Sequence, residues 1–401
     1  MKKIMFVLLF AGSCISVMAQ KKVTINGTVK NDTKGYNKVY TYGNGITSDS
    51  AEIQNGKFTI NVPFEKPFMV LMYAEYTIKN SSMYTPYGLL IDRPGVINID
   101  NIDLVKGMET GKVTGLESAV LFRTFNSEQG EQYKKVSDAL KEKFGKYWVE
   151  EKDPQYEAFE KERNDLSKKH VGKFVEQFIA RHPDSYVSVI ALSGSGRSLF
   201  TLEEQEALYS KLSKKLQQSE DGKDIIDFIE GSRSSSVGSY VKDFTLNTPA
   251  EKPLSFSSFK GKYVIIDFWA SWCGPCKQSF PHMKEVYKSY KSDQFEIYSI
   301  SIDKNKAAWL KAVEEQQFPW VQTLDTKNIA HKGFAVTGVP TTYLIDPTGK
   351  ILLKEVGFDP NGNSEIEKKL VELFGNKMPA KRVEEKKNND DKKVIPATRL
   401  Q

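Results

Sequence analysis

The chain has 401 residues, of which 27% are charged and 39% hydrophobic, with three cysteines and a formal net charge of +6. This length predicts two or three domains, each large enough to bury its own core. The basic excess lies in Lys2, Lys3 and the segment 377–401, which carries eight basic and four acidic side chains. Because the rest of the chain is close to neutral and no nucleic-acid-binding motif accompanies the basic segment, nucleic acid is not an expected partner.

The N-terminus has the pattern of an export signal. Lys2 and Lys3 precede the apolar run IMFVLLFAG, and small residues continue to Ala19. A charged start, a short apolar stretch and a small-residue cleavage site are typical of a secretory signal peptide, so we expect residues 1–19 to be removed and the protein to be periplasmic. The alternative is a lipoprotein anchored through Cys14, in Ala-Gly-Ser-Cys. No later segment resembles a transmembrane helix.

Residues 20–115 are predicted to form a small antiparallel β domain of the sandwich type. Short stretches such as VTINGTV and KFTINV alternate apolar and polar residues, and turn residues separate them. Asn55-Gly56 lies between two of these stretches and predicts a hairpin, because both residues of such a turn take positive φ. Pro94-Gly95 predicts a second bend. No catalytic constellation is visible in this region.

Residues 116–231 are predicted to be helical, since long charged segments there repeat apolar residues with the helical period. Thr201-Leu-Glu-Glu has the pattern of a capping box. We expect His170 and His182 to be surface or helix-end residues rather than ligands. The Ser- and Gly-rich stretch from Ser232 to Ser239 predicts a linker.

A different pattern occupies residues 232–376. The stretches KYVIIDFWA, FEIYSISID, TTYLID and ILLKEVGF predict strands, and helical segments separate most of them. Strands that are apolar on both faces and alternate with helices indicate a mixed sheet covered on both sides. The charged segment 377–401 is predicted to be a disordered tail.

The stretch WASWCGPCKQSFP contains Cys273 and Cys276, the two cysteines that follow Cys14. A disulfide that closes so small a loop restrains little of the unfolded chain, so we expect this pair to be reactive rather than a structural disulfide that stabilises the fold. The turn precedes a predicted helix from Pro275 to Tyr290, and proline suits the first helical turn. Free N–H groups at the helix start would then stabilise a thiolate at Cys273. Cys276, one turn later, is expected to be shielded and to resolve a mixed disulfide.

A zinc site is the alternative use of a Cys-x-x-Cys pair. Zinc requires four ligands, and the chain has no second cysteine pair. His282 lies nearby in sequence, but well inside the predicted helix and without a companion ligand. We therefore expect no metal, and the chemistry needs no bound cofactor.

Two separated motifs resemble the thioredoxin family. IDFWASWCGPC is similar to that family's active-site strand and turn, and Pro281 matches the proline that kinks its active-site helix. GVPTTYLID is similar to the second signature, in which the peptide bond before the proline is cis; here that bond is Val339–Pro340. The inserted segment NKAAWLKAVEEQ resembles the TlpA/ResA class of extracytoplasmic thiol–disulfide oxidoreductases. Residues 21–115 resemble a domain of unknown function that precedes thioredoxin modules in exported Bacteroidetes proteins.

This resemblance implies an α/β thioredoxin fold, a mixed sheet flanked by helices, for the C-terminal domain. It implies that Cys273 attacks, that Cys276 resolves and that buried Asp267 relays a proton for Cys276. Gly274 and Pro275 form the active-site turn.

The resemblance also implies a substrate surface. Val339 and Pro340 would offer a backbone edge to an incoming peptide strand, and Trp272 would shape the surface beside it. The chain departs from the family at Ser299, where thioredoxins usually place a lysine near the buried aspartate. The proton relay is therefore expected to be tuned differently.

The dipeptide Gly274-Pro275 matches that of thioredoxin, a reductant at about −270 mV, whereas the oxidant DsbA lies near −120 mV. The leading hypothesis is therefore a periplasmic reductant of protein disulfides, which implies a membrane electron donor. One alternative is an oxidase or isomerase that uses the same site. Another is a binding or assembly protein, since more than half of the mature chain contains no recognisable catalytic motif. The peroxiredoxin pattern Pro-x-x-x-Thr-x-x-Cys is absent before Cys273.

Overall fold

The structure is a computed structural model that describes residues 21–31, 35–43, 46–81, 85–359, 364–378 and 398–399. The chain divides into two compact units, Met1–Ser195 and Gly196–Gln401. The predicted signal peptide 1–19, including Cys14, and most of the predicted tail 377–401 lie outside the described residues. Among the described residues, no helix is both long enough and apolar enough to cross a membrane.

The described part of the first unit contains the strands β1 (Lys22–Val29), β2 (Lys38–Gly43), β3 (Ile46–Glu52), β4 (Lys57–Pro63), β5 (Phe68–Ala74), β6 (Tyr87–Ile91), β7 (Gly95–Ile102) and β8 (Lys112–Gly115). They form two four-stranded sheets, in the orders β4-β1-β7-β8 and β3-β2-β5-β6. Alternate residues, such as Val23 and Ile25 of β1, are buried in a core that both sheets share. The predicted β-sandwich is therefore present, although β1 and β7 pair in parallel rather than antiparallel.

The turn at Asn55-Gly56 forms as predicted, with φ of 50° and 70° at the two residues. The predicted hairpin is nevertheless wrong, because β3 and β4 belong to different sheets and only Gln54 and Lys57 pair across the turn. Pro94-Gly95 likewise separates β6 and β7, which also belong to different sheets. The turn residues determine where the chain reverses direction. Which strands pair depends on how the two sheets pack around their shared core.

The helices of the first unit are α1 (Glu75–Asn80), α2 (Glu117–Phe144), α3 (Tyr156–Ser167), α4 (Lys173–Arg181) and α5 (Tyr186–Ala191), with π-helical turns at Lys168–Gly172 and Leu192–Gly196. Helix α2 ends at Gly145, whose φ of 73° closes the helix in the left-handed conformation. Phe125 of α2 packs edge to face on Phe178 of α4, with ring centroids 4.7 Å apart. The apolar residues that repeat with the helical period thus pack in the core, and His182 lies at the end of α4 as expected.

The second unit begins with the helices α6 (Arg197–Leu199), α7 (Leu202–Lys211), α8 (Lys214–Gln217) and α9 (Glu220–Ser234). The predicted capping box is present at α7: the Glu204 N–H donates to Thr201 Oγ1, and the Thr201 N–H donates to the Glu204 carboxylate.

The linker predicted from Ser232 to Ser239 is wrong. Helix α9 continues to Ser234, and Ser235 is only 3% exposed. The hydroxyl groups of these two serines donate to the carbonyl oxygens of Gly333 and Phe334, at 3.1 and 3.0 Å. A serine-rich segment can be a flexible linker, but its hydroxyl groups can also hydrogen-bond to buried carbonyl groups, as they do here. Composition alone does not distinguish the two cases, and the prediction failed for this reason. The predicted domain limit after residue 231 differs from the division into two units and stays a prediction.

The sheet of the second unit is built from β9 (Thr245–Asn247), β10 (Pro253–Ser255), β11 (Tyr263–Trp269), β12 (Phe295–Ser301), β13 (Val321–Leu324), β15 (Thr341–Ile345) and β16 (Ile351–Val356). Its order is β10-β9-β13-β12-β11-β15-β16, with β11, β12 and β13 parallel and the other neighbours antiparallel. A separate two-residue pair joins β14 (Gly338–Val339) to β17 (Thr398–Arg399). The helices are α10 (Gly274–Tyr290), α11 (Lys306–Gln316), α12 (Ile329–Lys332) and α13 (Glu365–Phe374).

Strand β11 is buried on both faces, as its continuous apolar run predicts. Val264, Ile266 and Phe268 point into one core, which Trp309 of α11 helps to fill, whereas Ile265 points into a second core. Residues Ile366 and Leu370 of α13 pack into that second core. This arrangement is a mixed sheet with helices on both sides, which confirms the predicted thioredoxin-type architecture.

Candidate active site

Cys273 lies where β11 has ended and α10 begins, and it is the N-cap residue of that helix. Its Sγ atom accepts the backbone N–H of Cys276 at 3.1 Å. Pro275 occupies the first turn, and the two cysteines are joined by a disulfide. When the pair is reduced, the same N–H group and the positive end of the helix dipole would favour the thiolate form of Cys273.

The peptide bond between Val339 and Pro340 is cis, as the second motif predicts. The Val339 carbonyl oxygen lies 3.5 Å from Cys273 Sγ. The Thr341 hydroxyl donates to the Gly338 carbonyl at 2.7 Å and holds this turn. The backbone at Val339 is therefore placed beside the sulfur atoms.

The surface around the sulfur atoms is unevenly exposed. Trp272 is 48% exposed, whereas Cys273 and Cys276 are both 0% exposed. Burial of Cys276 agrees with the sequence analysis, which did not foresee the same degree of burial for Cys273. The short strand β17 pairs antiparallel with Gly338–Val339, so this edge already carries a strand of the same chain. A substrate strand that pairs at Val339 would have to replace it.

Asp267 lies on β11 between two neighbouring strands, opposite Ser299 of β12 and Thr342 of β15. Its side chain is only 1% exposed, and the Ser299 hydroxyl donates to Oδ2 at 2.8 Å. Burial raises the pKa of Asp267 to about 7, although the Ser299 hydrogen bond acts in the opposite direction. This carboxyl group can therefore gain or lose a proton near neutral pH.

Ser299, which stands where the resemblance expects a lysine, belongs to a chain of hydrogen bonds. The Trp320 indole N–H donates to Ser299 Oγ at 2.8 Å, and Ser299 donates in turn to Asp267. Trp320 orients the hydroxyl toward the carboxylate and supplies no charge. No local sequence signal marks Trp320. The register of β12 brings Ser299 to Asp267, and only the folded chain brings Trp320 to Ser299.

Ser299→Ala is expected to raise the pKa of Asp267 above its present value of about 7, by about one unit, because the variant removes the hydrogen bond that favours the ionised carboxyl group. The pH midpoint of the rate of disulfide exchange should shift upward with it. Thr323→Val is the matched control, since Thr323 is equally buried in the same sheet but its hydroxyl donates to Tyr298. An unchanged midpoint in Ser299→Ala, measured by single-turnover kinetics between pH 5 and 9, would contradict this role.

Asp303 anchors the loop that precedes Cys273, and sequence reasoning missed it. Its carboxylate accepts the Ser271 N–H at 2.8 Å, the Ser271 hydroxyl at 2.7 Å and the Ser301 hydroxyl at 2.7 Å. The signal was present in Ser301-Ile-Asp303, at the carboxyl end of a parallel strand, where the loops of neighbouring strands meet. These bonds hold the backbone from which Cys273 projects.

A cavity of about 230 Å³ lies beside Asp267. Ser279 and His282 of α10 line it, together with Pro340 and Glu367. His282 lies inside α10, as the sequence analysis expected, and its Nε2 contacts the Glu367 carboxylate. Sequence could not reveal the contact, since the two residues lie on separate helices. Among the described residues, no group of three or more His, Cys, Asp or Glu side chains is arranged to hold a metal ion.

The structure thus gathers most of the predicted site in one place. Cys273, Cys276 and Val339 share one buried cluster, and Asp267 faces the cavity that Pro340 also lines. Trp269 packs in the core, where its indole N–H donates to Gln322 at 3.0 Å. Trp269 is therefore a structural residue.

Residues 237–354 match the AhpC/TSA family, and residues 23–115 match the domain of unknown function DUF4369. Among solved structures, a crystal structure described as a putative thiol:disulfide interchange protein DsbE from Chlorobium tepidum is 33% identical, covers 35% of this chain and 98% of its own, and has a TM-score of 0.33. The C-terminal domain of a putative thiol-disulfide oxidoreductase from Bacteroides thetaiotaomicron is 30% identical, with 35% and 97% coverage and a TM-score of 0.32.

Curated relatives match about a third of the chain. The thiol-disulfide oxidoreductase ResA of Bacillus subtilis is 35% identical over 122 residues, which are 30% of this chain and 68% of that protein. ResA of Bacillus thuringiensis subsp. konkukian is 30% identical over 116 residues, or 29% of this chain and 67% of that protein. With the thioredoxin-type sheet and the Cys-x-x-Cys turn, this similarity establishes that the chain belongs to the ResA-like thiol–disulfide oxidoreductases, and that it is an enzyme of this class.

Proposed function

We propose that this chain is an exported oxidoreductase that uses the Cys273–Cys276 pair to reduce disulfides in other proteins. The observation that carries the proposal is the position of Cys273 at the start of α10, with the Cys276 N–H on its sulfur and the Val339 carbonyl beside it. A sulfur atom in this position is suited to be a thiolate, and the thiolate is the nucleophile in disulfide exchange.

The proposed reaction starts from the reduced pair. The Cys273 thiolate attacks one sulfur of the substrate disulfide, a mixed disulfide forms, and the other substrate sulfur leaves as a thiolate that takes a proton from solvent. The Cys276 thiol then loses its proton and attacks Cys273 Sγ. The second substrate thiolate leaves and also takes a proton from solvent, so two electrons pass from the protein to the substrate, and the protein releases the Cys276 proton.

Asp267 is the proposed acceptor of the Cys276 proton. It faces the cavity that Ser279, one turn after Cys276, also lines. Burial raises the pKa of Asp267 to about 7, so its ionised form is available as a base near neutral pH.

Substrate docking is proposed at the backbone of Val339, directly before Pro340. Exposed Trp272 would cover the other side of an incoming peptide. The substrate strand would replace β17 at this backbone edge. Affinity would then come from main-chain hydrogen bonds and tolerate different substrate sequences.

The direction of reaction rests on the Gly274-Pro275 turn, which favours a reducing couple of the thioredoxin type. A reductant outside the cytoplasm must be reduced again after each turnover, so a membrane electron donor is part of the proposal. Export is proposed from the signal sequence at residues 1–19, with lipid attachment at Cys14 as its alternative. The regions 20–115 and 116–231 are proposed to be accessory domains, and no cofactor is part of the proposal.

The test compares two activities of the purified mature protein. The dithiol form should reduce the interchain disulfides of insulin, with dithiothreitol as electron source, far faster than dithiothreitol alone. It should restore scrambled ribonuclease only weakly. Strong ribonuclease recovery together with slow insulin reduction would contradict the reductant proposal and favour the isomerase, and light scattering would then show whether the protein is the dimer that isomerases often form.

A further inference from the structure

Burial of Asp267 prevents its carboxyl group from exchanging a proton directly with solvent. The side chain is 1% exposed, and the hydrogen bond that it accepts from Ser299 leads inward to Trp320. A base that accepts a proton from Cys276 must release it to solvent before the next turnover. The route has to start at Asp267 and end at a group that water can reach.

The cavity beside Asp267 provides the space for this route. Its volume of about 230 Å³ exceeds the roughly 30 Å³ that one water molecule occupies in the liquid, so it can hold several water molecules beside polar side chains. His282 lines the same cavity from α10. Cys276, Ser279 and His282 are spaced three residues apart, which places them along one side of that helix.

His282 forms a pair that reaches from the interior to the surface. Its side chain is 7% exposed, its Nε2 contacts the Glu367 carboxylate, and the Glu367 side chain is 21% exposed. Imidazole is the side chain whose ordinary titration falls in the neutral range, so an imidazole–carboxylate pair can take up and release a proton there. The pair can therefore pass a proton between the cavity and solvent.

The other charged groups that line the cavity are Asp267, Glu355 and Asp359, and His282 is the one basic side chain among the described lining residues. The Glu355 carboxylate is engaged at the start of α13, where it accepts the Ser364 hydroxyl at 2.9 Å and the backbone N–H groups of Glu365 and Ile366 at 2.5 and 3.2 Å. Glu355 is thus committed to capping the helix. Among the described lining groups, the histidine pair is the one that joins an imidazole to a carboxylate.

We propose that His282, paired with Glu367, exchanges the proton of Asp267 with solvent through this cavity during disulfide exchange. His282 acts through Asp267 and does not touch the sulfur atoms. No electron moves in this step: the proton that Cys276 gives to Asp267 passes to the pair and then to water. The inference rests on the proposed function, since it concerns the proton released at Cys276.

His282→Gln tests the proposal, because glutamine keeps a hydrogen-bonding group toward Glu367 but cannot titrate. Insulin reduction is followed over many turnovers, with excess dithiothreitol as electron source, so that Asp267 has to release its proton in each cycle. At pH 7 and low buffer concentration the rate should fall about ten- to hundredfold. Added imidazole should restore the variant and leave the wild-type protein unaffected, with stronger restoration at higher pH.

His331→Gln is the matched control. His331 is 9% exposed and contacts Asp224 at 2.8 Å in the same unit, but it does not line this cavity. A wild-type rate in His282→Gln, or a loss that is equal at every pH and insensitive to imidazole, would overturn the proposal in favour of a structural role. Failure of the wild-type protein itself to react with insulin would instead overturn the proposed function, and this inference with it.

Discussion

Cys273→Ser is expected to abolish disulfide reduction, lowering the insulin rate by at least about 10³-fold, to that of the added dithiol alone. The hydroxyl group of serine does not form the nucleophilic anion at neutral pH, whereas a thiol at the start of α10 is favoured as thiolate. The fold should remain, because serine can accept the Cys276 N–H that Cys273 Sγ accepts now. The measurement is insulin reduction, with circular dichroism as the control for folding.

Cys276→Ser separates the two cysteine roles. This variant keeps the attacking thiol and loses the resolving one, so it should stay joined to insulin as a mixed disulfide that a non-reducing gel detects. Trapping by Cys273→Ser rather than by Cys276→Ser would reverse the assigned roles. Residual wild-type activity in Cys273→Ser would exclude the proposed mechanism altogether.

Asp267→Asn is expected to slow resolution of the mixed disulfide about 10²-fold at pH 7, because the amide cannot accept the Cys276 proton. Asparagine keeps the acceptor that the Ser299 hydroxyl needs, so the local structure should persist. The wild-type rate should rise with pH around 7, where Asp267 ionises, and the variant should lack this rise. A variant that retains the wild-type pH profile would show that Asp267 is a satisfied core residue.

The same variant should be more stable than the wild-type protein in alkaline solution. The folded protein keeps the Asp267 proton up to about pH 7, whereas the unfolded chain loses it near pH 4. The folded state binds more protons between these values, so the free energy of unfolding falls as pH rises through this window and levels off above it. Above pH 7 Asp267→Asn should gain up to about 4 kcal/mol, the upper limit for a difference of three pKa units.

Asp224→Asn is a control of opposite sign for this stability measurement. Burial alone would raise the pKa of Asp224, but His331 and Arg197 hold it below its usual range. Loss of this carboxylate should therefore destabilise the protein at neutral pH. Urea unfolding of both variants at pH 5 and pH 8 checks the two signs, and a loss of stability in Asp267→Asn at pH 8 would contradict the account.

The sequence predicted the parts of the site that depend on short segments. The strand–turn–helix around Cys273 follows from a continuous apolar run, a tight turn and Pro275 in the first turn, all within a few residues. The cis bond before Pro340 and the burial of Asp267 followed from the resemblance and from the apolar strand. Each of these features is determined by the residues adjacent to it, or by a sequence motif that is characteristic of the fold.

The features that the sequence did not predict depend on contacts between distant segments. Ser299 reaches Asp267 only through the register of two strands, and His282 meets Glu367 only when two helices pack. Ser235 was mistaken for part of a linker because its carbonyl partner lies 99 residues away. The β sandwich shows the same limit, since the turn at Asn55 was predicted and its strand pairing was not.

The reduction potential of the Cys273–Cys276 couple tests the central claim most directly. Equilibration with dithiothreitol buffers at pH 7, followed by counting free thiols, gives the value without knowledge of the physiological substrate. A reductant requires a potential near or below about −250 mV, as in thioredoxin. A potential between about −180 and −120 mV would contradict the account, and would identify the protein as an oxidase or isomerase built on the same site.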